Sequence, residues 1–296
     1  MMSPIADAHK IFDRRLARER RDRIAPGAKA AGFLLERVAD DMAERLAVTR
    51  RTFATVASIG AYHGALGDRL RAHPGIVTLI QCEASPALLR QAPGLRVQAD
   101  EEALPFRDAS LDLVVSGLSL QLANDLPGVL LQIRRALRPD GLFLGALLGG
   151  ETLAELRQSL LAAEEELEGG ASPRVAPFAD VRDLGSLLQR AGFALPVADA
   201  ETVNVTYAHP LALMRELRAM GATNALRTRR RTPLRRQTLA RACAIYEERF
   251  GLPNGRVPAT FEILTMTGWA PHESQQKPLA PGSARISLAE AIGRKP

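Results

Sequence analysis

Val56-Ala57-Ser58-Ile59-Gly60-Ala61-Tyr62-His63-Gly64-Ala65-Leu66-Gly67 is the stretch whose reading decides the fold. Apolar residues run into it from Phe53, and a helical pattern runs out of it through Asp68, Leu70 and Arg71. The pattern predicts a strand, a glycine turn and a helix. Gly60 and Gly64 permit a tight turn and close backbone approach. The helix start offers free backbone N–H groups to a polar or anionic ligand. Nucleotide-type ligands dock this way at the first strand-to-helix turn of an open α/β sheet. An ordinary turn in such a fold has the same G-x-x-x-G spacing, so the loop alone leaves both readings open.

The following strand adds a second feature. Ile76-Val77-Thr78-Leu79-Ile80-Gln81-Cys82 runs to Glu83, 23 residues after Gly60. An acidic residue at about 20 residues' distance is where such folds hold ribose hydroxyls. A carboxylate accepts two O–H donors at once, which suits a vicinal diol. A solvated charge at a strand end is the alternative.

Working outward, strands are expected at 54–59, 76–82, 95–98, 111–116 and 142–148, with helices at 64–72, 86–91 and 125–137 between them. Ser85 is placed to cap the short helix that opens with Pro86. Arg138-Pro139-Asp140-Gly141 reads as a helix stop and a turn. Alternation at this spacing predicts an α/β fold with a doubly wound, mostly parallel sheet. Two helices, 5–24 and 28–47, precede it. Beyond it come helices at 151–168, 180–191, 210–220 and 233–250, and strands at 199–207 and 259–266, which bring the sheet to seven strands. The division expected is an N-terminal helical lid (1–50), a ligand-binding core (51–150), a segment completing the same domain (151–270) and a Pro-, Gly- and Ser-rich surface tail (271–296).

Composition narrows the class. The 296 residues are 46% hydrophobic but 4% aromatic, so the core is aliphatic. Cys82 and Cys243 make no spacing motif, which fits a reducing compartment. His9, His63, His73, His209 and His272 are scattered without ligand spacing, so no metal site is expected. No leader-like or membrane-spanning apolar run stands out, and a cytoplasmic location is expected. The formal net charge is +6. Arg227, Arg229, Arg230, Arg231, Arg235 and Arg236 form a cluster that is either a solvated loop or a docking face for an acidic partner. No aromatic residues interleave there, which argues against nucleic acid.

The ends of the parallel strands assemble one expected ligand edge. Gly60, Ala61, Tyr62 and Gly64 follow the first strand, and Glu83 and Ala84 the second. Asp100 and Glu101 follow the third. Ser116 and Leu118 belong to the fourth. Asp100 is an acceptor suited to an exocyclic amine such as that of adenine.

Ala99-Asp100-Glu101-Glu102-Ala103-Leu104-Pro105-Phe106, Leu111-Asp112-Leu113-Val114-Val115 and Leu137-Arg138-Pro139-Asp140-Gly141 resemble the class I S-adenosylmethionine-dependent methyltransferases. The resemblance implies a Rossmann-like sheet, S-adenosyl-L-methionine as cofactor and methyl transfer as the activity. A closer resemblance, to the respiratory complex I assembly factors known as arginine hydroxylases, covers nearly the whole chain. It rests on Ile11-Phe12-Asp13-Arg14, Leu118-Ser119-Leu120, Asn124-Asp125-Leu126-Pro127, Gly149-Gly150-Glu151-Thr152-Leu153, Ser172-Pro173, Val257-Pro258-Ala259-Thr260, Gly268-Trp269 and His272-Glu273-Ser274-Gln275. It implies a protein substrate such as a subunit of a respiratory NADH dehydrogenase, with peripheral placement at the inner membrane through that partner. The malonyl-carrier-protein methyltransferases of biotin synthesis resemble the chain more distantly.

Departures bear on the chemistry. Ser58 stands where methyltransferases usually carry an acid, Tyr62 where they carry a glycine, and Gln121 where the resembling families often have histidine. An amide cannot act as a general base near neutral pH. Tyr62, His63, Gln121 and Arg14 are the catalytic candidates. A methyl on a sulfonium is already electrophilic, so alignment supplies much of the rate. Three activities follow as alternatives: methyl transfer, side-chain hydroxylation, or binding without catalysis.

Overall fold

Asp13 starts the first helix: its carboxylate accepts from the Leu16 N–H at 3.0 Å and caps α1 (Arg14–Ile24). The computed structural model describes residues 10–276. The helix expected over 5–24 therefore begins later. Ile11 to Asp13 are extended because they pair with 225–227: Asp13 N–H donates to Ala225 O and Arg227 N–H to Ile11 O. Positions 5–9 lie outside the described residues. The second helix, α2 (Phe33–Ala47), also starts later than expected, because Pro26 opens a 3-10 turn and further turns occupy the residues up to Gly32.

The alternating region follows the sequence closely. It runs β1 (Thr55–Ile59), α3 (Ala65–Ala72), β2 (Thr78–Glu83), α4 (Pro86–Leu89), β3 (Leu95–Gln98), β4 (Leu111–Gly117), α5 (Leu126–Ala136) and β5 (Leu137–Leu148). Ser85 caps α4 through the Leu88 N–H. Asp125 caps α5 by accepting from the Gly128 N–H. Arg138-Pro139-Asp140-Gly141 is a bulge inside β5, not a turn before it. Leu137 already pairs with Leu111 and the register resumes at Leu113↔Leu142, with Asp140 at φ +62°.

The remainder is α6 (Ala154–Glu168), α7 (Val181–Arg190), β6 (Ala194–Tyr207), α8 (Pro210–Ala219), α9 (Arg236–Phe250) and β7 (Val257–Trp269). Both last strands are longer than expected because they form one extended antiparallel ribbon, paired from Ala194↔Trp269 to Tyr207↔Val257. The seven strands lie in the order β3-β2-β1-β4-β5-β7-β6, with β1 to β5 mutually parallel and β7 antiparallel to both neighbours. The sheet is thus the mostly parallel, seven-stranded one anticipated.

Alternation along the strands splits the core into two layers. Val56, Leu113 and Val115 pack with α2, α3, α6 and α9 on one face. Ala57, Ile59 and Val114 pack with α5 and α7 on the other. On α2, Leu34, Leu35, Val38, Ala39, Met42 and Leu46 recur at helical spacing and are all buried. Trp269 ends β7, and the chain beyond it is tied back: Ala270 N–H donates to Gly141 O and the Gln275 amide to Asp140. The tail beyond 276 lies outside the described residues. Among those described, no helix is long and apolar enough to cross a membrane.

Candidate active site

The C-terminal ends of β1, β2 and β4 meet α1, which lies across them. Gly60 turns at φ +64°, and a Cβ there would come within 2.1 Å of Ser119 Oγ. The loop therefore closes on β4's exit so tightly that only glycine fits. Glu83, 1% exposed, is aimed by two backbone donors: Ser85 N–H to Oε1 and Tyr62 N–H to Oε2, each at 2.9 Å. Arg21 of α1 reaches over it, Nη1 lying 3.3 Å from Glu83 Oε1 and 3.5 Å from Glu101 Oε1.

Two cavities adjoin this point. A polar one of about 350 Å³ is lined by Arg14, Arg21, Ala84, Gln98, Asp100 and Glu101, among others. A more apolar one, about 200 Å³, runs from Gly60, Tyr62, Leu118 and Gln121 to Leu153, Arg174, Phe178, Met220 and Phe261. Ala17, Arg21 and Leu122 line both.

Strain gathers at the apolar cavity. Six described residues other than glycine have positive φ, and three of them, Tyr62 (+53°), Leu118 (+51°) and Leu153 (+55°), line it. Each such conformation costs about 1–3 kcal/mol, held only where surrounding structure demands it, and such residues cluster at working sites. Tyr62 is pinned at both ends: its N–H by Glu83 and its hydroxyl by Met220 O at 2.8 Å.

The expected site residues separate into groups. Gly60, Tyr62, Leu118 and Gln121 line the apolar cavity; Arg14, Ala84, Asp100 and Glu101 line the polar one. Arg14 is held by Asp100, Glu101 and Leu122 O. Ala61 and Gly64 shape the turn, since Ala61 N–H donates to Cys82 O and a Cβ on Gly64 would strike Pro93 at 2.5 Å. The Ser116 hydroxyl is buried and donates to Ile59 O. His63 is 1% exposed and lines neither cavity; it packs against Gly32 at the start of α2, and burial lowers its pKa. Burial first, then nearby Glu83, raises the Tyr62 phenol to about 12. The Cys82 thiol is likewise pushed up to about 12. Gln121 donates to Leu118 O.

Sequence reading missed Arg21 and Arg174; Phe12 and Ser119 it met within the resembling stretches, and both line the apolar cavity. The Arg174 guanidinium reaches the apolar cavity from a loop and pairs with Glu164, which is fully buried on α6. Burial pushes the Glu164 carboxyl up, but the Ser172 N–H and Arg174 outweigh it and hold it below the usual range. The arginine cluster is partly spent internally: Arg229 pairs with Asp13 and Arg230 with Glu168, while Arg231, Arg235 and Arg236 are exposed.

S-adenosylmethionine fits this arrangement. The glycine turn at Gly60 and the polar cavity beside Asp100 suit it, whereas Glu83 lines neither cavity and its fully buried carboxylate is covered by Arg21. The family model of a methyltransferase domain matches residues 57–145. The mitochondrial arginine-hydroxylase NDUFAF5 of Danio rerio is 42% identical over 287 residues, covering 95% of this chain and 89% of that protein. The chain belongs to the NDUFAF5 family. Malonyl-[acyl-carrier protein] O-methyltransferase of Halorhodospira halophila is also similar along its length, 37% identical over 295 residues and covering 97% of both. The YcgJ protein of Bacillus subtilis shares the fold, with a TM-score of 0.53 at 14% identity over 79% of this chain and 98% of that one. Family membership covers the C-terminal half as well, whose residues wall the apolar cavity.

Proposed function

We propose that the chain binds S-adenosylmethionine across the two cavities and modifies a protein side chain, on a subunit of a respiratory NADH dehydrogenase. The similarity to NDUFAF5 over 95% of the chain carries the choice of partner. Glu83 would hold the ribose, the Gly60 loop the amino-acid part, and the cavity beside Ala84, Gln98 and Asp100 the adenine. The cofactor supplies an electrophilic methyl on sulfur.

The chain's own contribution is positioning and exclusion of water. Among the described residues lining the apolar cavity there is no Asp, Glu, His, Cys or Lys. The Tyr62 phenol stays protonated near neutrality and donates to Met220 O. The acceptor must therefore bring its own nucleophilicity, and closure by α1 keeps water away from it.

Deletion of the gene tests this reading. Loss of assembled NADH dehydrogenase supports it, and the mass of subunit peptides names the reaction: a missing methylene means methyl transfer, a missing oxygen means hydroxylation. A normal enzyme with unaltered peptides contradicts it.

A second reading is favoured by Arg174. Among the described residues, Arg174 and Arg21 are the two cationic ones lining the apolar cavity, and a guanidinium suits an acceptor carboxylate, which needs no base, as on a carrier-protein thioester. Biotin auxotrophy of the deletion strain with intact NADH dehydrogenase would select it.

A further inference from the structure

We propose that Arg21 is a latch: its guanidinium holds the place on Glu83 that a ribose diol would take, and it must swing aside before the cofactor binds. The proposal rests on the reading that this edge takes S-adenosylmethionine with its ribose on Glu83. Among the described residues, three donors reach the Glu83 carboxylate: the Ser85 N–H and Arg21 Nη1 on Oε1, and the Tyr62 N–H on Oε2. A carboxylate has about four acceptor positions. One is left, and a vicinal diol brings two O–H donors. The Ser85 and Tyr62 donors are backbone groups set by the turns after β2 and β1. Arg21 is the donor that can yield. It also closes access: the Glu83 side chain is fully buried and lines neither cavity, whereas Arg21 lines both.

The latch answers a charge requirement, since a buried carboxylate without a partner is costly. In this closed form Arg21 neutralises Glu83, with Nη1 3.3 Å from it and 3.5 Å from Glu101. Burial works against the guanidinium's charge, but Glu83 first and Glu101 next outweigh it and hold Arg21 charged. Glu101 keeps Arg14 as a partner when Arg21 turns away. The helix need not leave with the side chain. On one side of Arg21, Arg20 donates to Thr223 O at 3.0 Å and Asn224 O at 2.6 Å. On the other, Asp22 accepts from the Ser85 hydroxyl at 2.6 Å and the Ala87 N–H at 3.2 Å. These anchors hold α1 in place and leave the swing to the Arg21 side chain, into the cavities that it lines. A protein whose binding-competent form is only a fraction of the whole binds more weakly by that fraction.

Calorimetric titration of the full chain reads the latch as an affinity. Arg21→Met keeps the aliphatic stem and removes the guanidinium. It should bind S-adenosylmethionine and adenosine about tenfold more tightly than the wild type does. Dideoxyadenosine, which lacks the vicinal hydroxyls and has nothing to offer Glu83, should gain nothing. In a Glu83→Gln background Arg21→Met should give no gain for any of the three. A crystal structure of the wild type with S-adenosylhomocysteine, which depends on no variant's folding, should show the ribose hydroxyls on Glu83 and the Arg21 guanidinium turned away. Unchanged or weaker binding by folded Arg21→Met, an equal gain for dideoxyadenosine, a gain that persists in Glu83→Gln, or Arg21 still on Glu83 in that crystal would overturn the latch and leave the cofactor reading standing. No binding of S-adenosylmethionine by either the wild type or Arg21→Met removes that reading, and the latch with it.

Discussion

Arg21 Nη1 lies 3.3 Å from Glu83 Oε1, so one guanidinium on α1 clamps the carboxylate that ends β2. The Arg21 side chain is 12% exposed and that of Glu83 fully buried. Removing one partner of a buried pair strands the other, at a cost of several kcal/mol in the extreme. Arg21→Ala should therefore loosen α1. Trypsin cleavage at the exposed Arg18 and Arg23 should accelerate in that variant without cofactor, and cleavage at the wild-type rate would show that the clamp does not hold the helix.

Ligand should act in the opposite sense on the wild type. Ala17 and Arg21 line both cavities, so a molecule spanning them packs against α1. S-adenosylmethionine is expected to slow cleavage within Arg18–Arg23. Equal rates with and without it would count against a lid.

Acid stability should depend on His63. Its pKa is lowered from 6.5 by burial, so below about pH 6.5 the unfolded chain takes up a proton that the folded chain excludes. Its contribution is complete above that pH and declines as pH falls toward the lowered folded value. His63→Gln should flatten the fall in unfolding free energy over that interval. An unchanged profile in denaturant melts would show that other groups set it.

The loop carrying Arg174 depends on Glu164. Glu164→Gln leaves a half-buried guanidinium without its counter-ion and should destabilise the fold by about 2–3 kcal/mol, toward the lower end of buried-pair losses because Arg174 retains some solvent access. A chemical melt matching the wild type would mean the pair contributes nothing net.

Local signals in the sequence carried the core of the fold. The glycine turn and the alternation from 54 to 148 located five parallel strands, because each arises from neighbouring residues. The start of α1 was misplaced because its boundary depends on pairing with Leu226, more than two hundred residues away. Arg21 looked like one of many surface arginines on a charged helix, and only folding brings it to Glu83. Glu164 likewise read as one acid among several until the 172–174 loop enclosed it. His63 sat in the decisive motif, yet the turn at Tyr62 and Gly64 sends it behind the loop; burial, not spacing, determines that.

The most direct measurement is a calorimetric titration of S-adenosylmethionine into the wild type, Glu83→Ala and Glu83→Gln. The wild type should bind, and each variant should lose about 1.5–3 kcal/mol, the worth of hydrogen bonds to a charged acceptor. Heat-denaturation midpoints without ligand report whether the variants fold. Wild-type affinity in folded Glu83 variants, or no binding by the wild type, would contradict the assignment of this edge as the cofactor site.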